Sequence, residues 1–481
     1  MFYRKKNNLF FFFLIILFTT KVYCGSYWKW DKIKITADSL TFENKKNKEP
    51  FLFGVSTSAY QVEGEDGVTQ KPYNQWEKWA SKEVEIEGKK CKPIEHKAGK
   101  ACEHWKRYKE DIQSMKDLGF KAYRFSVSWG KIEPKEGEFN EKALQHYEDV
   151  CKELQKQGIK PMITLFYHTY PCWFEDKGAF EKEANIACFE RFCVKVFERL
   201  KQYVHIWFPF NTFTAYAFTG YSEGVRPPFK KDLQLAVDVL KNTLEAHVTV
   251  YHKLKSIDKN ATIGILKSIM HVDEYSKWNP LDLVASSQAE KLSKKCIYKF
   301  FKKGTFKVWL PTKANLKHIN KKAIGAFDCI GLNYYSGVYI SNFAMCARSE
   351  LIPTQDELYT IYPEGLYRAL EQLWSNWGKK FKVPIYVTEN GVAAQKAEDR
   401  ELFFKRHLYA VSKAIKDGID VRGYMVWTLF DSFEWTDGYN VKNYGLYAVD
   451  RDMQKRTLKD GTQFLLDVVK KDNVVKKEIL G

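Results

Sequence analysis

Pro384-Ile385-Tyr386-Val387-Thr388-Glu389-Asn390-Gly391 is a short apolar run that closes on an acid and a glycine. Its β-branched and aromatic residues, bounded by Pro and Gly, read as a strand buried on both faces. Comparable runs stand at 51–55, 122–126, 161–165, 205–208, 262–266, 329–333 and 423–427, which with 384–388 makes eight. Between them lie amphipathic stretches such as 108–118, 189–203 and 233–254, whose apolar residues recur at three and four spacing as on a helix face. Strands buried on both faces and alternating with helices imply parallel βαβ units. Eight such units close into an α/β fold, a single (β/α)8 TIM barrel with long βα loops. Chemistry in these barrels sits at the C-terminal ends of the strands. Glu389, ending the seventh strand, is therefore the first candidate functional side chain.

The remaining sequence narrows the setting. A chain of 481 residues with 45% hydrophobic content can bury one large core, and no Pro/Ser-rich linker or repeat divides it. Arg4-Lys5-Lys6, then an apolar run from Leu9 to Phe18, then Cys24-Gly25-Ser26, read as a secretory signal peptide over 1–24 with cleavage after Cys24. The run is shorter than the about 20 residues a membrane span needs. The expectation is a mature barrel over 25–481, secreted or in a secretory-pathway or periplasmic lumen, with no stable membrane span. The net charge of +18 is spread through mixed-sign stretches, which describes a solvated lysine-rich surface. No basic stripe or recognised module points to nucleic acid. No CxxC pair or HExxH occurs, so neither a metal nor another cofactor is expected. Cys91 and Cys102 bracket a polar loop and form the candidate disulfide, while Cys151, Cys188, Cys193 and Cys329 fall where small buried apolar residues belong.

Two segments carry a resemblance. Ile385 to Gly391, and Trp207-Phe208-Pro209-Phe210-Asn211-Thr212-Phe213, resemble the signature segments of family 1 glycoside hydrolases, the β-glucosidase family. The family patterns read Thr-Glu-Asn-Gly for the nucleophile and Thr-Phe-Asn-Glu-Pro for the general acid/base. The resemblance implies that Glu389 is the nucleophile and that Asn211 bonds the sugar 2-hydroxyl. Thr212 stands where the acid/base Glu belongs, and Phe213 replaces the Pro. The segment Ser58 to Gly64 is similar to the family loop whose Gln bonds sugar hydroxyls, which maps to Gln61. Tyr123-Arg124-Phe125-Ser126 maps Arg124 to the cation that holds the nucleophile. Asn333-Tyr334-Tyr335 maps Tyr335 to the hydroxyl that bonds it. Trp427-Thr428-Leu429-Phe430-Asp431-Ser432-Phe433-Glu434-Trp435 implies a ring platform at Trp427, bonds to O4 and O6 from Glu434, and a bond to O3 from Trp435. A carboxylate there would repel a 6-phosphosugar. After the third strand the family commonly has a His for O3; here Tyr167 takes its place and His168 follows. Taken singly, Gln61 reads as a loop amide, and its seven-residue context reverses that weighting; for Tyr335 the alternative is a core tyrosine.

A threonine hydroxyl cannot protonate a leaving group at neutral pH, and losing acid/base catalysis typically forfeits about 10²–10⁴-fold in rate. Leaving groups stable as anions need no such proton, and plant myrosinases of this family, with Gln at the position, cleave activated thioglucosides. Glu223, on the following loop, is an acid whose position is arbitrary, and it is not expected to replace the missing one. The expectation is a retaining β-glycosidase acting through Glu389 on β-glycosides, impaired or restricted to activated aglycones. The alternative is a catalytically inactive sugar-binding or interaction protein on the same barrel.

Overall fold

Every apolar run expected to be a strand forms one, and all eight are parallel. They are β1 (Leu52–Ser56), β2 (Ala122–Ser126), β3 (Lys160–Phe166), β4 (Ile206–Phe210), β5 (Gly264–Ser268), β6 (Cys329–Asn333), β7 (Ile385–Asn390) and β8 (Val421–Trp427). The computed structural model describes residues 28–43, 49–86, 89–91, 94, 96–310, 312–439 and 442–480; the expected leader over 1–24 lies outside them. The sheet runs β4-β3-β2-β1-β8-β7-β6-β5. A parallel bridge between Trp207 and Ile263, with Trp207 N–H donating to Thr262 O at 2.9 Å, joins its two ends into a barrel.

A helix follows each strand: α1 (His104–Asp117), α2 (Glu141–Lys156), α3 (Ile186–Leu200), α4 (Leu233–Ile257), α5 (Cys296–Lys303), α6 (Pro363–Leu373), α7 (Ala397–Lys416) and α8 (Gln463–Leu480). Their starts are set by side-chain caps where the sequence supplies them. Asn140 Oδ1 accepts from the backbone of Lys142 and Ala143, and Asp232 Oδ1 from Leu235.

Strand alternation sorts the core into two shells. Ala122, Met162, Phe208, Leu266, Tyr386 and Met425 form the barrel interior. Tyr123, Ile163, Trp207, Ile265, Val387 and Val426 face the helices in the surrounding core. β4 runs two residues beyond its expected end at 208, through Pro209. The ladder tolerates this proline because the pairings with β3 fall on its neighbours, Phe208 with Thr164 and Phe210 with Phe166. That extension delivers Asn211 and Thr212 to the barrel mouth.

One expectation is overturned. Cys102 carries a free, buried thiol that donates to Asp431 O at 3.5 Å, with Arg451 Nη1 3.7 Å from its sulfur. Its side chain is turned into the protein, so no Cys91–Cys102 disulfide forms. Cys151, Cys188, Cys193 and Cys329 are all buried. Among the described residues, no helix is long and apolar enough to cross a membrane.

Candidate active site

β7 aims its acid by breaking its own alternation. Tyr386 points into the barrel and Val387 out, and Thr388 turns inward to donate to Asn333 Oδ1 at 2.7 Å. Strict alternation would send Glu389 outward. The pairing of β7 shifts register against both β6 and β8 at this point, so Glu389 also turns to the lumen. Gly391 follows because the chain passes against Trp427: a Cβ there would lie 1.7 Å from Trp427 O.

Glu389 is buried and fully engaged. Its Oε1 accepts from Arg124 Nη1 at 2.5 Å and from Tyr167 Oη at 2.8 Å; its Oε2 accepts from Tyr335 Oη at 2.7 Å. Arg124 comes from β2, is fully buried, and spreads its other donors to Ser56 Oγ, Thr164 Oγ1 and Asn211 Oδ1 at 2.7–3.1 Å. Asn211 Oδ1 also accepts from Asn333 Nδ2 at 3.0 Å, which fixes the amide orientation. A buried Arg–carboxylate pair is tolerable only when the remaining donors are satisfied in this way. Burial first, and then the charge of Glu389, push both Tyr167 and Tyr335 well above the ordinary phenol range, so both hydroxyls stay protonated and donate.

The opposite wall is held more loosely. Thr212 occupies the residue after Asn211 with φ 44°, His168 has φ 59° and Trp435 φ 48°, left-handed conformations uncommon for such side chains and concentrated at functional sites. His168 Nε2 lies 3.3 Å from Asn211 Nδ2 and 3.4 Å from Thr212 Oγ1. The Asn211 amide nitrogen can only donate, so Nε2 accepts. Burial, then the charges of Arg226 and Arg124, hold His168 well below the usual imidazole range, and the ring is neutral.

Between the walls lies a pocket of ≈ 210 Å³. It is lined by Glu389, Asn211, Thr212, Tyr335, Trp427 and Glu434 together with Tyr167, His168 and Trp435. The rings of Trp427 and Trp435 flank Tyr167 in nearly parallel planes, with centroids 5.8 and 6.2 Å away. Burial raises the carboxyl of Glu434 to about 8, although the Ser432 hydroxyl, 3.2 Å away, opposes the shift. Gln61 lies behind the lining: its Nε2 donates to Phe433 O at 2.6 Å and reaches Glu434 Oε1 at 3.4 Å, so it props the Glu434 segment. Glu223 is exposed and outside the lining, so it does not replace the missing acid.

Sequence reasoning missed three features. Asn333, in a quoted motif, positions Asn211. Lys442 bridges Asp356 and Asp437 at 2.8 and 2.9 Å across the pocket mouth. Arg226, in Gly224-Val225-Arg226-Pro227-Pro228, lines the pocket beside Thr212 with no signal in the sequence to announce it.

With this geometry in view, the chain can be set beside known proteins. A family model for glycosyl hydrolase family 1 matches residues 43–474. Beta-glucosidase A of Acetivibrio thermocellus is 30% identical over 452 residues, covering 87% of this chain and 97% of that protein. The 6-phospho-beta-galactosidase of Clostridium acetobutylicum is 31% identical over 465 residues, covering 85% of this chain and 94% of that protein. Among solved structures, a beta-glycosidase from Pyrococcus horikoshii superposes with a TM-score of 0.77 at 31% identity, covering 89% of this chain and 96% of that one. A GH1 beta-glucosidase from Exiguobacterium antarcticum B7 gives a TM-score of 0.78 at 27% identity over 88% of this chain and 98% of that one.

Proposed function

This chain belongs to glycosyl hydrolase family 1, as a β-glycosidase-type barrel, and from that premise we propose that it is a secreted retaining β-glycosidase of β-glucosidase type, with Glu389 as nucleophile. The carrying observation is the carboxylate of Glu389 held between Arg124 and Tyr335 in the same pocket as Asn211, Trp427 and Glu434. The Arg124 and Tyr335 bonds fix the direction of the carboxylate, which in this reading faces a sugar resting on Trp427.

In a retaining mechanism two carboxyl groups about 5–5.5 Å apart share the work, one attacking C1 and one protonating the leaving oxygen. Here Glu389 would attack C1 while the aglycone departs with the bonding pair as an anion, because Thr212 has no proton to give at neutral pH. The glycosyl ester on Glu389 would then be opened by water without a general base. The first step favours aglycones that are weak bases, so ordinary alkyl and sugar glycosides are poor substrates in this reading, and the second step is slow whichever aglycone has left. Secretion of the mature chain over 25–481 completes the proposal and rests on the leader-like sequence.

A second reading, a sugar-binding protein without turnover, is favoured by Tyr167. Three donors occupy Glu389, whose two oxygens offer about four lone-pair directions, and the Tyr167 bond weakens the oxygen it shares with Arg124. The two readings separate with 2,4-dinitrophenyl β-glucoside, with and without azide. Turnover that azide accelerates supports Glu389 chemistry with a missing acid/base. If a 2-deoxy-2-fluoro glucoside fails to label Glu389 while glucose still binds, the binding reading replaces it.

A further inference from the structure

We infer that Arg226 receives an anionic group, a carboxylate, sulfate or sulfonate, carried on the leaving-group side of a bound glycoside. The inference rests on the glycoside reading of the pocket and names the class of aglycone. Arg226 lines the pocket with Thr212 and Ala215, and its guanidinium stands over the Trp435 ring at 5.5 Å. It makes no side-chain hydrogen bond or ion pair to any described residue. The other two cations at the site are committed: Arg124 to Glu389, and Lys442 to both Asp356 and Asp437. Glu434 and Glu223 lie near enough for their charges to be felt at Arg226, but neither bonds it. A partly buried guanidinium has lost water without gaining an acid, and its fork matches a planar oxyanion in a bidentate manner.

The side follows from the chain. Thr212, Ala215 and Arg226 all belong to the segment after β4, whose missing acid would have touched the leaving oxygen. An anion on the sugar's own C6 would instead face the Glu434 carboxyl. A positive charge on this wall also suits an aglycone that departs unprotonated, since negative charge builds there as the bond breaks.

The test is calorimetric and needs no turnover. Benzyl C-β-glucoside, its 4-carboxybenzyl counterpart and benzyl C-β-glucuronide, all lacking a scissile heteroatom bond, are titrated into the full chain. The 4-carboxybenzyl compound is expected to bind about 10–100-fold tighter than the benzyl compound, the worth of one charge-assisted pair. That ratio should fall toward one in R226Q, keep part of its size in R226K, and shrink with added salt. Equal binding of the two glucosides by the native protein overturns the inference and leaves the glycosidase reading standing. So does a ratio unchanged in a folded R226Q, or an advantage shown only by the glucuronide. Binding of none of the three overturns the inference and the glycoside reading together.

Discussion

The two walls of the pocket are built to different standards. On the β2–β7 side, Arg124, Asn211, Asn333, Tyr335 and Glu389 are joined by bonds of 2.5–3.0 Å, with each partner oriented by another. On the facing wall, Thr212 after β4 and His168 after β3 meet at 3.4 Å, and among the described residues His168 Nδ1 is buried without a hydrogen-bond partner and Arg226 is paired with no acid. The contrast teaches that the wall carrying Glu389 is a hydrogen-bond network closed on itself, whereas the facing wall around Thr212 is held by fewer and longer contacts.

That comparison can be broken at its strong wall first. Glu389→Gln should reduce turnover of 2,4-dinitrophenyl β-glucoside by on the order of 10⁴-fold or more, read as kcat, since the proposed reading assigns the attack on C1 to Glu389 alone. Restoring the weak wall is the next largest effect. Thr212→Glu should raise kcat/KM on an alkyl β-glucoside by about 10²–10⁴-fold and change the dinitrophenyl substrate far less. A rise of equal size on both would show that Thr212 limits binding and not proton transfer. Arg124→Met removes one partner of a buried pair and should destabilise the fold by about 3–5 kcal/mol in urea unfolding. Retained stability would mean that the two other donors to Glu389, Tyr167 and Tyr335, suffice without the cation.

Smaller effects sharpen the picture. Glu434 has a folded-state carboxyl raised to about 8 from an ordinary 4.5. Between these values the folded chain holds a proton that the unfolded chain has released. Its contribution therefore falls as pH rises through that window, by up to about 1.4 kcal/mol per unit. Unfolding midpoints at pH 5.5 and 7.5 should drop less in Glu434→Gln than in the native protein. Tyr167→Phe frees one lone pair of Glu389 at the cost of one hydrogen bond, about 1 kcal/mol. Its expected result is a several-fold faster glycosylation step in single-turnover kinetics; a slower step would make Tyr167 a positioning residue for the sugar.

How far the chain could be read in advance differs along its length. The β7 segment disclosed both its strand and its acid, because a buried parallel strand writes its environment into a short run of apolar residues. The β4 pattern stops at 208 because Pro209 interrupts a local propensity that the β3 ladder accommodates. The apolar periodicity places helix α3 over 189–203, and it forms at Ile186–Leu200, a shift of about one turn that leaves its apolar face unchanged. The sequence marks Tyr167 and His168 as departures from the family pattern but carries no sign of their partners. The Cys91–Cys102 pairing failed because loop length says nothing of which way a thiol turns.

Local order along the chain was thus enough to determine eight strands, their alternation with helices, and the presence of an acid at one strand end beside a threonine at another. Tertiary structure alone decided that Glu389 carries three donors, that Gln61 stands behind Glu434, and that Arg226 enters the pocket over the Trp435 ring with no ion pair to any described residue. Periodicity and motifs are properties of neighbours in sequence. Hydrogen-bond partners across a barrel lie on different strands, 265 residues apart in the case of Arg124 and Glu389, and are fixed only when the register of the strands between them closes.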